Sequence, residues 1–421
     1  MRVVILGAGV IGVASAWYLR EAGHEVTVVD RQPGPGLETS FANGGQISVT
    51  HAEPWANPAA PLQILEWLGR PDAPLLFRPR ADLDQWLWGA RFLFECLPQR
   101  ARRNARCILA LALHSVEALR ALREETAIAY AAGARAILCY STAGRDFARP
   151  AALVEPMRAW GCMREIKTVA ECVALEPALR AAAPRLVGGI YAPGDESGDA
   201  HLFTQRLAAL CQTRGVVFLY THAVRRLGVA GGRVSGVEVA VPSGAVATLE
   251  ADAYVVALGS HSAPLVRGIG IAIPVYPVKG YSVTLPVDSQ HDAPTVSLTD
   301  EAHRLVFSRL GNRLRIAGTA ELAGYDTAID RARCEAILRR VFEMFPAAGD
   351  RDRAGFWAGL RPATPGNVPL IGGTRYPNLF LNTGHGTLGW TLACGSGKSL
   401  AAIIGGKAPE TDFPFLARAQ P

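Results

Sequence analysis

Gly7, Gly9 and Gly12 stand in G-x-G-x-x-G spacing, and Asp30 follows Gly12 by 18 residues. That spacing suits the diphosphate and ribose of a dinucleotide. Gly7 permits a tight turn and Gly9 lets the backbone approach a pyrophosphate. Gly12, with Ala16 four residues on, lets a helix lie close to a sheet. The helix start offers unpaired N–H groups and a positive dipole end to the phosphates. A carboxylate at Asp30 accepts ribose hydroxyls and repels a 2′-phosphate, which favours FAD or NAD over NADP.

These residues need a strand, a turn, a helix and a second strand to position them. Val3-Val4-Ile5-Leu6 is a short apolar block suited to a strand buried on both faces. Val10, Ala14, Trp17 and Tyr18 then fall at helical spacing, Gly23 punctuates the helix end, and residues 25–30 make a second strand ending in the acid. The same opening imitates a secretory leader, because no charge occurs from Val3 to Leu19 after Met1-Arg2. Three glycines interrupt that run, its length barely spans a bilayer, and its period changes at the glycines.

The chain has 421 residues, enough for two or three domains, with 49% hydrophobic and 19% charged residues and a net charge of +6. No Lys/Arg stretch is interleaved with stacking aromatics, so nucleic acid is not expected as a partner. The eight cysteines form no C-x-x-C pair and the nine histidines do not cluster with them, so no metal site is expected. They suit buried, reduced thiols of an intracellular protein.

Further along, residues 38–48 form a polar, glycine-bearing loop suited to a ring edge or diphosphate. Gly231-Gly232 sits at the turn of an expected hairpin. Residues 251–260 are expected to form a buried strand ending in glycine. Residues 382–390 feed a helix-like run to Ile404. A helix start there would place a positive dipole end near the negative N1–C2=O edge of a reduced flavin. Gly395-Ser396-Gly397-Lys398-Ser399 imitates a phosphate-binding loop, but Leu392 stands where that motif needs glycine.

Taken together and in this order, these stretches make the chain resemble the D-amino-acid oxidase superfamily of FAD flavoproteins, and within it the bacterial D-amino acid dehydrogenase (small subunit) family. The resemblance covers nearly the whole chain. Its most specific pieces are Leu37-Glu38-Thr39-Ser40 with Asn43 and Gln46, then PGDESGDAHLFT at 193–204 and PVYPVKGYS at 274–282. Gly359-Leu360-Arg361-Pro362 and GHGTLGW at 384–390 complete them. It implies an α/β chain: an FAD-binding, Rossmann-like, doubly wound domain from 1–50, 185–265 and 355–421, and an α+β substrate domain with a mainly antiparallel sheet from 51–184 and 266–354. Strands at 278–285 and 304–319 are expected in that sheet. It also implies non-covalent FAD and oxidation of D-amino acids to 2-oxo acids and ammonia, with electrons passed to a quinone-type respiratory acceptor. Three departures stand out. Asn43-Gly44-Gly45-Gln46 replaces the usual Asn-Ala-Gly-Gln, Thr364-Pro365-Gly366-Asn367 replaces Thr-Pro-Asp-Gly, and His303 replaces an aromatic expected to face the substrate pocket.

Hydride transfer from Cα to a flavin depends mostly on positioning. The group needed is a cation for the substrate carboxylate. Arg361, in WAGLRP, matches the carboxylate-binding arginine of related amine-oxidising flavoenzymes, and a guanidinium forks onto a carboxylate. Tyr276, Tyr281, His303 and His385 are further pocket candidates. The cofactor set expected is Val3, Val4, Ile5, Leu6, Gly7, Ala8, Gly9, Val10, Ile11, Gly12, Val13, Ala14, Ser15, Ala16, Trp17, Asp30, Arg31, Ser40, Asn43, Gly45, Gln46, Val224, Gly259, Gly384, Gly386, Thr387, Leu388 and Gly389.

Trp55, Trp67, Trp86 and Trp88 lead into Arg91, Arg100, Arg102, Arg103 and Arg106. Aromatics beside a basic cluster suit a membrane surface; a lid or core beside a solvated helix face is the preferred reading. The location expected is cytoplasmic, with peripheral contact on the inner face of the cell membrane and a partner subunit left open. Competing functions are a flavin oxidase of glycine, sarcosine or another secondary amine, a flavin-binding subunit without turnover, and an NAD dehydrogenase.

Overall fold

The structure is a computed structural model describing residues 1–67, 69–70, 73–133 and 136–417. Two sheets organise it. The first has six strands in the order 370–373, 379–383, 253–256, 2–6, 25–29 and 217–219, all parallel except 370–373. Strand Arg2–Leu6 lies at its centre, with Val4 opposite Tyr254 on one side and Thr27 on the other. Val3, Val4, Ile5 and Leu6 are buried, as an apolar strand covered on both faces must be.

Helix Val10–Glu21 packs on this sheet. Against it runs helix Gly389–Ile404, which in turn lies against the long helix Pro98–Thr126. These close crossings explain the phosphate-loop imitation at 395–399. A Cβ on Gly397 would come 2.9 Å from the Ala14 backbone, and one on Gly395 2.8 Å from Ser115. The glycines are helix-packing positions, and Lys398 points outward to Glu410 at 2.7 Å.

The second sheet is large and mainly antiparallel, in the order 355–363, 276–286, 313–322, 305–310, 297–300, 137–141, 188–192 and 165–167, with 75–77 paired to 313–322. Two pairings in it are parallel, 297–300 with 137–141 and 313–322 with 75–77. The single strand expected at 304–319 is a hairpin of Leu305–Leu310 and Arg313–Leu322. Gly311, with φ +63°, and Asn312 turn the chain between them, a short hairpin signal. Strands 188–192 and 355–363 also belong to this sheet, although the expected boundaries grouped them with the nucleotide layer. Conversely, Ile108, Leu111 and Leu119 of the long helix share the core of the nucleotide layer. The hairpin about Gly231-Gly232 forms as expected, within a separate three-stranded sheet.

Candidate active site

At the C-terminal ends of strands 2–6, 25–29 and 253–256 the chain makes the turns that bound a cavity of about 1240 Å³. Ligands of open α/β sheets bind at this end. Gly7 has φ +110°, and a Cβ there would meet the Ala257 carbonyl oxygen at 2.5 Å, so only glycine fits. Gly9 differs. Its backbone is extended, it caps the helix start without a side chain, and a Cβ would meet only Ser40 Oγ, at 3.6 Å. The space beside Gly9 belongs to the cavity, and a ligand rather than the protein gains from its bareness.

Asp30 draws the turn together. Its Oδ2 accepts from the Ala8 N–H at 2.7 Å and its Oδ1 from the Gln32 N–H at 2.8 Å, while the residue lines the cavity. Burial pushes its carboxyl up, partly offset by those N–H bonds. Arg31 pairs with Glu38 at 2.5 Å. The loop at 38–48 wraps the cavity: Ser40 Oγ accepts from Val10 N–H, Thr39 donates to Leu360 O, and Gln46 Nε2 reaches Ser297, Leu298 and Thr299.

Of the expected cofactor residues, Gly7, Gly9, Val10, Ile11, Asp30, Arg31, Ser40, Asn43, Gly45, Gln46, Val224, Gly259, Gly386, Thr387, Leu388 and Gly389 line the cavity. Val3 to Leu6, Ala8, Gly12 to Trp17 and Gly384 lie behind it as support. His385 lines it and is buried; its Nε2 bonds Ser396 Oγ at 2.9 Å and its Nδ1 has no partner among the described residues. Burial pushes its pKa down to about 3, so the ring is neutral. A Gly-rich cradle at a helix start, a ribose-facing carboxylate and an orphaned buried nitrogen fit a flavin dinucleotide, and the volume leaves room for a small substrate.

The far wall is the large sheet. Strand Gly355–Ala363 presents Trp357, Gly359 and Arg361 on one face, two residues apart. Gly280 lies opposite Gly359 on the neighbouring strand. A Cβ on Gly280 would come 2.2–2.4 Å from the Arg361 guanidinium, and one on Gly359 would come 2.0 Å from the Trp357 ring. The glycine pair is a floor across which two large side chains lie. Arg361 donates to Thr319 O at 2.7 Å and Gly318 O at 3.4 Å and, among the described residues, faces no carboxylate. The cavity leaves it only half-buried, yet the protein around it lowers its pKa to about 10 by desolvation. Gly280→Ala is expected to swing the guanidinium off this floor and lower kcat/KM about 100-fold. FAD content should stay unchanged, which absorbance of the purified variant checks.

The other pocket candidates are dispersed. Tyr276 is absent from the lining and donates to Asp82 at 2.9 Å, tying its strand to a helix cap. Tyr281 borders the cavity, but its hydroxyl donates to buried Glu321 at 2.6 Å, on the strand face opposite Gly280. His303 lies outside the lining, half exposed and against Asp300. Its neighbours Glu301 and Arg304 face the cavity instead, because the tight turn there reverses the side-chain direction. Sequence reasoning passed over Gly280, although the VKGYS stretch contains it. It also passed over His51, Arg164 and Glu301, which carry no local signal.

A nucleotide-binding sheet facing a second sheet across one cavity defines a dinucleotide-dependent oxidoreductase. The family model described as FAD dependent oxidoreductase (DAO) matches residues 2–403. A D-amino acid dehydrogenase of Dechloromonas aromatica is 55% identical over 99% of this chain and 100% of its own. Another, of Paramagnetospirillum magneticum, is 53% identical over 97% and 96%. Among solved structures, L-proline dehydrogenase of P. horikoshii shares the fold at a TM-score of 0.74, with 17% identity over 97% of this chain and 94% of that one. Glycine oxidase of Bacillus cereus does so at 0.69, with 23% identity over 96% and 95%. The chain belongs to the DAO family of FAD dependent oxidoreductases and, within it, to the D-amino acid dehydrogenase family; its cofactor is FAD.

Proposed function

We propose that this enzyme oxidises D-amino acids to 2-oxo acids and ammonia and passes the electrons to a quinone-type acceptor. The observation that carries the reading is Arg361: a guanidinium without a carboxylate partner among the described residues, in the wall of the cavity that begins at the dinucleotide turn. A carboxylate arriving there completes a bidentate, charge-assisted pair. FAD, when bound, supplies the acceptor for the hydride leaving Cα. The substrate nitrogen gives up a proton, and water hydrolyses the resulting imino acid to the oxo acid and ammonia.

Neither His385 nor Tyr281, the two acid–base candidates from sequence that reach the lining, is suited to take the ammonium proton. His385 is held neutral by burial and is a poor base, and Tyr281 is committed to Glu321. The substrate therefore enters as the free amine, and the protein contributes orientation and exclusion of water. The likeness to D-amino acid dehydrogenases at 55% and 53% identity supports the D-configuration.

An exposed apolar face supports membrane contact and a lipid-soluble acceptor. Leu62 and Leu65 are 68% and 64% exposed, and on the next helix Leu83, Trp86, Leu87, Leu93 and Phe94 are each at least 47% exposed. Of the tryptophans singled out from sequence, Trp86 is exposed and Trp88 is buried. Arg91 on that helix and Arg102, Arg103 and Arg106 on the helix that follows are also exposed. Apolar side chains flanked by arginines suit an anionic bilayer interface. No helix among the described residues is long and apolar enough to cross a membrane, so contact is peripheral.

One anaerobic experiment tests the reading. The FAD-loaded enzyme is mixed with D- and L-alanine, D- and L-proline and glycine while flavin absorbance is followed. Bleaching by D-isomers alone is expected. Reoxidation should be faster with quinone in anionic vesicles than with air. Bleaching by glycine with rapid reoxidation in air would establish an oxidase, and no bleaching at all a subunit without turnover.

A further inference from the structure

One part of the cavity wall brings together three metal-ligating side chains that the proposed oxidation does not invoke. His51, from the loop after strand Gln46–Ile47, meets Cys139 on strand Ile137–Ser141 and Glu301 just past strand Ser297–Asp300. Thr299 and Cys139 are register partners, which brings Glu301 to the same strand end. The three ligand atoms lie within 4.8 Å of one another, and His51 Nε2 is 3.6 Å from Cys139 Sγ. A tetrahedral zinc with Zn–S of ~2.3 Å and Zn–N of ~2.05 Å separates sulfur from nitrogen by ~3.6 Å.

The imidazole tautomer follows from its neighbours. Buried Asp195 accepts from Ser48 Oγ at 2.5 Å, Thr50 Oγ1 at 2.6 Å and Val49 N–H at 3.0 Å. Ser48 thereby commits its single hydroxyl hydrogen to Asp195. Its oxygen can only accept from His51 Nδ1, 2.8 Å away. The hydrogen is on Nδ1, and the Nε2 lone pair faces Cys139. A histidine whose second nitrogen is fixed through a carboxylate-anchored hydroxyl is oriented as a metal ligand is.

We propose that His51 Nε2, Cys139 Sγ and a Glu301 carboxylate oxygen form a binding site for a zinc-class divalent cation, with the fourth coordination position open to the cavity. Sulfur, nitrogen and oxygen donors together select zinc over magnesium or calcium. Without the ion, the Cys139 hydrogen fills the gap as an S–H···Nε2 contact. On binding, that proton leaves to solvent, and thiolate plus carboxylate balance the two positive charges. Arg304 pairs with Glu301 Oε2 at 2.6 Å and so holds the carboxylate at this end of the strand. The sequence carries no local sign of such a site, because 88 residues separate the histidine from the cysteine it meets. This site does not depend on which substrate is oxidised.

The test uses the FAD-loaded enzyme, treated with chelator and then titrated anaerobically with Co²⁺ alone. One equivalent should bind, with a thiolate-to-cobalt charge-transfer band in the difference spectrum and one proton released per ion. Cys139→Ser should remove the band. Ser48→Ala, which keeps all three ligands, should weaken binding roughly 10–100-fold. No saturable band in the unaltered enzyme would overturn the site. A band of unchanged affinity in Ser48→Ala would overturn it as well, whether or not Cys139→Ser folds.

Discussion

Replacing Arg361 by Met is expected to lower kcat/KM for D-amino acids by between ~10² and a few thousandfold, the effect of removing one partner of a desolvated ion pair worth ~3–5 kcal/mol. FAD content should be unchanged, because the guanidinium spends its hydrogen bonds on Thr319 O and Gly318 O. Arg361→Lys keeps the charge but loses the fork and should recover only part of the loss. The pH profile carries the same signature. Activity should rise as the substrate ammonium loses its proton, because His385 cannot accept it. The Met variant should keep that rise, because the guanidinium takes no part in it. Stopped-flow flavin reduction across pH, with D-alanine in both proteins, measures each part. An unchanged kcat/KM in Arg361→Met would move carboxylate recognition elsewhere in the cavity.

Gly9→Ala is expected to yield a folded protein that has lost FAD. The backbone there, at φ −70° and ψ 175°, suits any L-residue, and the added methyl meets nothing in the protein closer than 3.6 Å. It projects instead into the cradle where a pyrophosphate approaches the helix start. Gly7→Ala should behave differently and fail to fold well, since its methyl would lie 2.5 Å from a carbonyl oxygen at a positive φ. Circular dichroism and the flavin-to-protein absorbance ratio of both purified variants separate the two effects. Retention of FAD by Gly9→Ala would show that the cofactor does not approach this turn closely.

The sequence by itself determined what depends on neighbours along the chain. The opening strand, turn, helix and acid are set within thirty residues by period and by turn chemistry. The Gly231-Gly232 hairpin and the helix ending at Ile404 are set in the same way. Arg361 was legible only through its motif, since nothing local distinguishes a cavity arginine from a surface one. Pairing of distant strands decided the rest. Register lays Arg361 across Gly280, 81 positions earlier, and alternation along the same strand turns Tyr281 to the opposite face. A turn capped by Asp300 sends His303 outward and its neighbours in. Sheet membership took strands 188–192 and 355–363 away from the layer their sequence neighbours join. His51 and Cys139 meet only because strand and loop close around one cavity. Side-chain direction on a strand changes with a single step of register, and register is fixed by the packed whole rather than by any short stretch.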